Sequence, residues 1–401
     1  MNTAAQSASA IPSALSIAST QRSLERARWS TRAQFVMLGL LSGAWGAHIP
    51  SVKQHYGLSE VTLSVTLLAF AAGVLFSLFF VGRVVEKLSV RVSALCGGLL
   101  MCTALACILL APSFAFVLPV VFICGASASL FDVSINTEGT ELEHVGKRPI
   151  MGNLHGMFSV GAMAGAALVA ALLRAGMEPW KQLVVIALVI AAVVIVAARG
   201  MLETHSSDDD EAKEHFAWPR GLLLVLGVLI LAGMIAEGVM CDWSVLYLKQ
   251  EIGMPQAQAA LGYATFSAAM AIARFSADAL RMRFSERKLL CVGGCVAATA
   301  MAFVLLSANA WVAFVGFALV GAGLALVAPV LFSAATLVPG VSRAAAIASV
   351  TSIGYAGFMI GPPLIGGLAH ASSLTVALTV VVFSAALLAF GSRYVPVRKG
   401  D

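Results

Sequence analysis

Charged residues are scarce in this chain. Only 11% of its 401 residues are Asp, Glu, Lys or Arg, whereas 60% are apolar, and the mean hydropathy is +0.93. A soluble domain carries about a quarter charged residues, so this composition excludes an ordinary soluble protein and predicts a protein of the lipid bilayer. The sequence also lacks a phosphate-binding Gly-rich loop with Lys, a nucleophile elbow and a histidine pair on one helix face. It therefore indicates neither an enzyme nor an ATP-driven pump.

Metal chemistry and β-barrel architecture are excluded in the same way. The seven cysteines have no zinc-type spacing and no histidine partners, so we predict packing residues and no metal or cofactor. The apolar runs show no sustained apolar and polar alternation, which would mark a membrane barrel. Because lipid offers no partner for backbone amides, each run must be a helix that satisfies its own backbone.

Twelve apolar runs are present, each close to the length of about 20 residues that spans a bilayer. We predict spans at 33–51, 59–82, 90–111, 113–142, 149–173, 180–200, 219–247, 256–280, 287–308, 309–337, 343–368 and 372–394. The predicted fold is an all-α membrane protein with twelve transmembrane helices in two six-helix bundles. Its parts are a cytoplasmic N-terminal tail (1–32), expected to be disordered to about Thr20, a first bundle (33–200), an acidic cytoplasmic linker (201–218), a second bundle (219–394) and a cytoplasmic tail (395–401).

The two halves of the chain repeat at a shift of 196 residues. The matches are Lys53, Gln54 and Gly57 with Lys249, Gln250 and Gly253, Gly125 with Gly321, and Gly161 and Gly165 with Gly357 and Gly361. Near one loop the shift changes to 192, where Glu86, Leu88 and Arg91 match Asp278, Leu280 and Arg283. Repeats of this size build one class of transporter fold.

The basic residues predict the orientation of the chain. With twelve spans and a cytoplasmic N-terminus, 21 of the 25 Lys and Arg residues lie on the cytoplasmic side, which leaves Lys53, Arg174, Lys181 and Lys249 outside. Both termini are therefore expected in the cytoplasm. Because the charges are spread over alternate short loops without an aromatic platform, the formal charge of +5 does not indicate nucleic-acid binding.

The loop after the second span carries a recognisable pattern. It runs from Gly82 through Glu86, Lys87 and Ser89 to Arg91, and it resembles the GxxxD(R/K)xGR(R/K) signature of the major facilitator superfamily. In this loop Glu86 takes the place of the aspartate and Ser89 that of the second glycine. The resemblance implies a bacterial inner-membrane transporter, usually a monomer, whose loop charges latch one conformation. The alternative is that the basic residues of the loop only reflect the orientation of the chain.

A second copy of this loop is looser. Arg274 occupies its first glycine position, while Asp278 and Arg283 keep the acid and the final base. A further pattern, from Gly357 through Gly361 and Pro362, resembles one that antiporters of the family carry in their fifth span. Here it lies in the eleventh span, where close helix packing and a proline bend are the alternative explanation.

Acids inside the predicted spans are candidate functional residues, because an ionised group near a span centre costs about 2.5–3.5 kcal/mol. Asp132 and Asn136 share one face of the fourth span, and His155 and Ser159 lie at similar depth in the fifth. We predict a polar cluster there. It either handles protons or cations, or it is a structural hydrogen-bond network.

The seventh span contains Glu237 and Asp242, beside Trp243. The repeat places this segment opposite the part of the first span that contains Trp45. The resemblance implies that these two spans line the central path, with the acids contacting substrate or a proton and the tryptophans as apolar walls. The alternative for Asp242 is proximity to the outer interface, where Trp243 would join an aromatic belt.

Together these features predict a secondary active transporter of a small organic solute, working by alternating access and coupled to protons. A drug/proton antiporter and a facilitative uniporter are alternatives of the same class. A membrane sensor that binds a ligand without transport is the alternative of another class, and the short linker and tails leave little room for a signalling module.

Overall fold

The computed structural model describes residues 14–202 and 218–396, and in these ranges the regular structure is helical. The first half contains α1 (Ala14–His55), α2 (Glu60–Leu78), α3 (Val81–Leu88), α4 (Val90–Cys107), α5 (Phe114–Gly146), α6 (Met151–Arg174) and α7 (Pro179–Ala198). The second half contains α8 (Leu222–Gln250), α9 (Gln256–Phe275), α10 (Ala277–Arg283), α11 (Glu286–Ser307), α12 (Ala310–Leu324), α13 (Val327–Ala335), α14 (Arg343–Ala371), α15 (Leu374–Ala377) and α16 (Thr379–Gly391).

Each predicted span corresponds to a helix or to a helix broken once. The tenth predicted span is α12 followed by α13, and the twelfth is α15 followed by α16. In the described ranges, eleven helical segments are long and apolar enough to cross a membrane, and α9 is not among them. The polar residues Gln256, Gln258 and Arg274 lower its hydropathy, although it packs in the protein interior against α6 and α12.

The N-terminal assignment needs a correction. Helix α1 begins at Ala14, so the residues from 14 to about Thr20, for which the sequence predicts disorder, are helical, and the helix continues through the rest of the predicted tail into the first span. Residues 1–13, most of the predicted linker (203–217) and the end of the C-terminal tail (397–401) lie outside the described residues.

The helices form two bundles that meet along paired helices. In the first bundle α1 packs on α6, and α5 packs on α2 and α4. In the second bundle α8 packs on α14, and α12 packs on α9 and α11. The bundles contact each other through α6 with α9, α2 with α14, and α1 with α8. In the repeat, α6 corresponds to α14 and α2 corresponds to α9. The α6–α9 and α2–α14 contacts are therefore equivalent, and the interface has two-fold pseudosymmetry.

The repeated residues occupy matching positions in the two bundles. Gly57 and Gly253 both have positive φ, +62° and +76°, directly after the helices that carry Lys53 and Lys249. A Cβ on Gly125 would collide with the carbonyl of Phe70, and one on Gly321 with the carbonyl of Phe266, which lies 196 residues later. The repeat read from the sequence is therefore a repeat of helix packing.

Candidate functional site

A cavity of about 590 Å³ lies between the two bundles. Its walls come from α5 and α6 of the first bundle and from α8, α9, α13 and α14 of the second. It reaches the side of the protein that carries α10 and the α5–α6 connection, because Glu143, Pro149, Asp278 and Arg281 also line it. This is the side on which the sequence places the cytoplasmic loops.

An arginine bridges the two bundles at this cavity. The Arg274 guanidinium donates to the Ser159 hydroxyl of the first bundle at 2.8 Å and to the Glu237 carboxylate of the second at 3.1 Å. The side chains of Arg274 and Glu237 are 15% and 21% exposed, so the ion pair is largely removed from solvent. Below, "the Arg274 bridge" means these two contacts.

The sequence did not identify Arg274 as a site residue. It was counted among the cytoplasmic loop charges, whereas the structure places it inside α9 and on the cavity wall. A signal was available, since Arg274 lies inside the predicted span 256–280 and not in the loop that follows it. Its partner could not be read from the sequence, because the rotation of α8 against α9 decides it.

The predicted polar cluster on α5 and α6 is partly assembled. The Asn136 amide donates to the Asp132 carboxylate at 3.0 Å and to the Asp132 carbonyl at 2.8 Å. Asp132 and His155 both line the cavity, and the His155 ring stands edge-on to Phe35 with centroids 5.6 Å apart. In the described residues Asp132 has no cationic partner, so it presents an uncompensated acid to the cavity.

The remaining residues predicted for the substrate or proton path in α1 and α8 lie away from the cavity. Asp242 and Trp243 face a separate small pocket between α8 and α14. Trp243 is fully buried, and Trp45 stacks on Phe70 with ring centroids 6.3 Å apart. The aromatic residues that do line the cavity are Phe158, Phe332, Tyr355 and Phe358. None of these four was singled out as a wall residue from the sequence.

Polar contacts between the bundles close the opposite side. The Gln256 amide donates to the Ser51 hydroxyl at 2.7 Å and to the Ala47 carbonyl at 3.0 Å. The Lys249 ammonium donates to the Gln54 side chain at 3.0 Å. Helices α1 and α8 also approach closely here, since a Cβ on Gly46 would lie 2.8 Å from the Cys241 carbonyl oxygen. These contacts, termed the outer closure below, leave the cavity accessible from one side.

Comparison with known proteins identifies the family. The sequence model of the Major Facilitator Superfamily matches residues 31–241 and 225–401, nearly the whole chain. The chain belongs to the Major Facilitator Superfamily. An uncharacterised MFS-type transporter of Yersinia pestis is 32% identical over 91% of this chain and 95% of its own length. The membrane protein MosC of Rhizobium meliloti is 31% identical over 90% of this chain and 88% of its own length.

Solved structures share the fold at low identity. A bacterial homologue of the human lysosomal transporter Spinster, inward-facing and unoccupied, has a TM-score of 0.69 at 14% identity over 93% of this chain and 98% of that one. The nucleoside transporter NupG has a TM-score of 0.70 at 12% identity over 90% and 98%. The Escherichia coli fucose:proton symporter FucP has a TM-score of 0.62 at 18% identity over 92% and 98%. These structures show the fold, and the family match and the relatives show that the protein is a multi-pass MFS transporter.

The loop signature of this MFS transporter is only partly engaged. Gly82, Glu86 and Lys87 are exposed on α3, and a Cβ on Gly82 would meet nothing within 4 Å. Arg91 donates a hydrogen bond to the carbonyl of Met201, just beyond the end of α7. This contact joins two parts of the first bundle. In the second copy, Asp278 is exposed at the cavity and Arg283 is exposed beside it.

Glu138, close to this region, is fully buried. Its carboxylate accepts a hydrogen bond from the Leu202 amide at 2.8 Å. Glu138 therefore ties α5 to the chain that leaves the first bundle.

Ser89 adopts a backbone conformation that suits glycine. Its φ of +75° and ψ of 156° lie in a region that costs a residue with a Cβ about 1–3 kcal/mol. Its hydroxyl accepts only a long N-cap bond from Val92, at 3.4 Å. We expect Ser89→Gly to raise the free energy of unfolding by about 1 kcal/mol, because the strain relieved exceeds the weak cap that is lost. Denaturant unfolding of the purified protein in detergent measures this difference.

Ser89→Ala is the matched control for that substitution. It keeps the strained φ and also loses the cap, so it should be no more stable than the wild type. A Ser89→Gly protein less stable than the wild type would contradict this explanation of the loop.

Proposed function

We propose that this MFS transporter is a secondary active transporter that moves a small organic solute by alternating access, coupled to protons. The observation that carries the proposal is the cavity between the bundles, open towards one side and sealed by the outer closure. A binding site that faces one side at a time is the structural requirement of alternating access. The fold accommodates proton coupling, since FucP is a fucose:proton symporter.

The proposal also includes orientation and surroundings. The excess of basic residues on the α3 and α10 side supports a cytoplasmic location for that side and for both termini, in a bacterial cytoplasmic membrane. The open cavity would then face the cytoplasm. We further propose a monomer that carries its solute across the bilayer without converting it chemically.

The charges of the cavity divide the roles among the acids. Glu237 is neutralised by Arg274, so the pair acts as one neutral, bundle-bridging unit in this state. Asp132 is held by the Asn136 amide, without a counter-charge among the described residues, and faces a cavity with an aromatic wall. An acid without a counter-charge in such a cavity is suited to contact the solute directly, through a hydroxyl or a cationic group.

The experiment begins with thermal-shift screening of the purified protein against sugars, amino acids, organic acids and drugs. A stabilising solute is then offered to sealed proteoliposomes with an imposed proton gradient. We expect accumulation above the outside concentration, which a protonophore abolishes.

Three results would contradict parts of the proposal. Equilibration that ignores the gradient indicates a uniporter. Uptake that requires the opposite gradient, with proton movement against the solute, indicates an antiporter that works in efflux. Specific binding without uptake indicates a sensor.

A further inference from the structure

A second, much smaller pocket lies between α8 and α14, and Asp242 lines it. Its volume is about 10 Å³, which is about the space that one water molecule requires. Asp242 lies within the span formed by α8, and it has no hydrogen-bond or ion-pair partner in the described part of the chain. An ionised carboxylate without a partner is costly at this depth. The large cavity therefore does not explain why an acid without a partner lies at this place in α8.

The repeat shows how the pocket arises. In the first bundle the equivalent seam, between α1 and α6, is closed, because Gly39 and Gly43 press directly on the carbonyls of Phe158 and Ala162. The positions 196 residues later are Ile235 and Val239, and both line the pocket. These larger side chains hold α8 away from α14.

The same comparison shows that both sides of the pocket differ from their counterparts. Asp242 corresponds to Gly46, and Pro362 corresponds to Ala166. On the α14 side, a Cβ on Gly361 would meet nothing within 4 Å, whereas one on its counterpart Gly165 would collide with the Leu40 carbonyl. The second bundle thus combines an open seam, an acid and a proline at one place.

The proline changes the backbone chemistry of the pocket wall. Pro362 lies inside α14 and has no N–H, so the carbonyl four residues earlier, on Phe358, loses its helical donor. Phe358 lines the pocket. Asp242 and Phe358 thus both belong to the wall of this small space, where a water molecule or a proton donor can satisfy a carboxyl group and a carbonyl without a helical partner.

Phe358 also lines the central cavity. Its ring lies between the two spaces and packs on the α8 backbone, since a Cβ on Gly238 would lie 3.3 Å from it. Phe358 is thus a wall that the pocket and the cavity share.

We infer that Asp242, with one water molecule in the α8–α14 pocket, is the proton-binding site of this transporter, separate from the solute cavity and shielded from it by Phe358. This inference rests on the proposed proton-coupled transport, and it assigns the proton to Asp242 and the solute contact to Asp132. With the pocket closed, the carboxyl is neutral and its O–H donates a hydrogen bond to the water or to the free carbonyl. When Phe358 moves, the carboxyl meets the water of the cavity and releases the proton.

The groups around Asp242 support a neutral carboxyl. Its titratable neighbours are Glu237 and Cys241 on α8 and Tyr263 on α9. The residues of α14 that line the pocket are Gly357, Phe358, Gly361 and Pro362, none of which titrates. The nearby cation Arg274 is already paired with Glu237. Within residues 14–202 and 218–396, nothing in this surrounding compensates a negative charge on Asp242.

Infrared pH-difference spectra of the full-length protein in lipid test the inference without a known solute. The wild type should show a protonated carboxyl band that Asp242→Asn removes, with a loss of one bound proton per protein. In D₂O the band should exchange slowly in the wild type and at least tenfold faster in Phe358→Ala, because the Phe358 ring no longer shields the carboxyl.

Gly361→Ala, which places a methyl group in the pocket, should shift the band. Gly367→Ala is the matched control, since a Cβ there also meets open space but lies outside the pocket, and it should leave the band unchanged.

Several outcomes would overturn the inference. An Asp242→Asn spectrum identical to that of the wild type, in a protein that unfolds at the same temperature, removes the proton site. A band that responds to exchange of K⁺ for Na⁺ assigns the pocket to a metal cation instead. An Asp242→Asn protein that loses the band but keeps full proton-driven accumulation leaves the proposed function intact and separates this proton from coupling. Absence of any uptake by the wild type would instead count against the proposed function.

Discussion

Replacing Arg274 by Gln is expected to abolish transport and to lower the free energy of unfolding by about 2 kcal/mol. Removing one partner of a fully buried pair costs about 3–5 kcal/mol, and the cost is smaller here because both side chains retain some exposure. The change leaves Glu237 without its cation inside the membrane, and it detaches α9 from Ser159 across the bundle interface. Transport is lost because the two bundles no longer share this contact.

A double-mutant cycle separates the charge effect from the bridge. Glu237→Gln alone leaves Arg274 uncompensated and should also destabilise the protein. The double variant, Arg274→Gln with Glu237→Gln, removes both charges and should recover most of the stability while remaining inactive. Denaturant unfolding in detergent and solute uptake are the two measurements.

Arg281→Gln is the matched control for the bridge. Arg281 pairs with Glu286 at 2.7 Å, but both residues belong to the second bundle, in α10 and α11. The Arg281 and Glu286 side chains are 28% and 12% exposed, so losing this pair should cost about as much stability as losing the Arg274–Glu237 pair. Uptake should nevertheless persist, because this pair does not join the two bundles. If the losses of stability in the two single variants, Arg274→Gln and Glu237→Gln, add up to the loss in the double variant, the two residues are not coupled.

Replacing Asp132 by Asn is expected to weaken solute binding at least tenfold, which corresponds to about 1.4 kcal/mol. The substitution keeps the size of the side chain but removes the charge that faces the cavity. Binding is measured by titrating the solute found in the screen against the purified variant. The fold should be retained, because Asn136 can still donate to the side-chain oxygen of the amide introduced on α5.

Glu143→Gln serves as the control for this variant. Glu143 also lines the cavity, but its carboxylate already accepts hydrogen bonds from the Ile150 and Met151 amides at 2.5 and 2.8 Å. Glu143→Gln should lower the stability of the protein, because these hydrogen bonds are weakened, and should leave the solute affinity within a factor of a few. Equal affinities of wild type and Asp132→Asn would remove Asp132 from the binding site.

The sequence predicted the fold well because the bilayer imposes strong constraints on composition. Helix positions follow from apolar length, and the packing of the repeat follows from glycines such as Gly125 and Gly321, where only a missing side chain permits the backbone contact. The disorder predicted to about Thr20 was wrong from Ala14 onwards, since α1 begins there as a polar helix that continues the span beyond its apolar part.

The site was less predictable, because it depends on how the helices are rotated. The spacing of Asp132 and Asn136 predicts their contact, since four residues place them on one helix face. No local pattern pairs Arg274 with Glu237, which are 37 positions apart. Nor does any pattern place Asp242 behind Phe358, because that depends on the width of the α8–α14 seam. Trp45 and Trp243 resemble wall residues in sequence, yet both are buried in packing.

Cysteine accessibility from the two faces of the membrane tests the central claim most directly. Ala328 lines the cavity, so Ala328→Cys in a protein without its native cysteines reports access to the cavity by a membrane-impermeant thiol reagent. Labelling should occur from the face that carries the termini. Adding Gln256→Ala, which removes two contacts of the outer closure, should increase labelling from the other face and decrease it from the first. If the cysteine is labelled from both faces and Gln256→Ala does not change the labelling from either face, alternating access is contradicted.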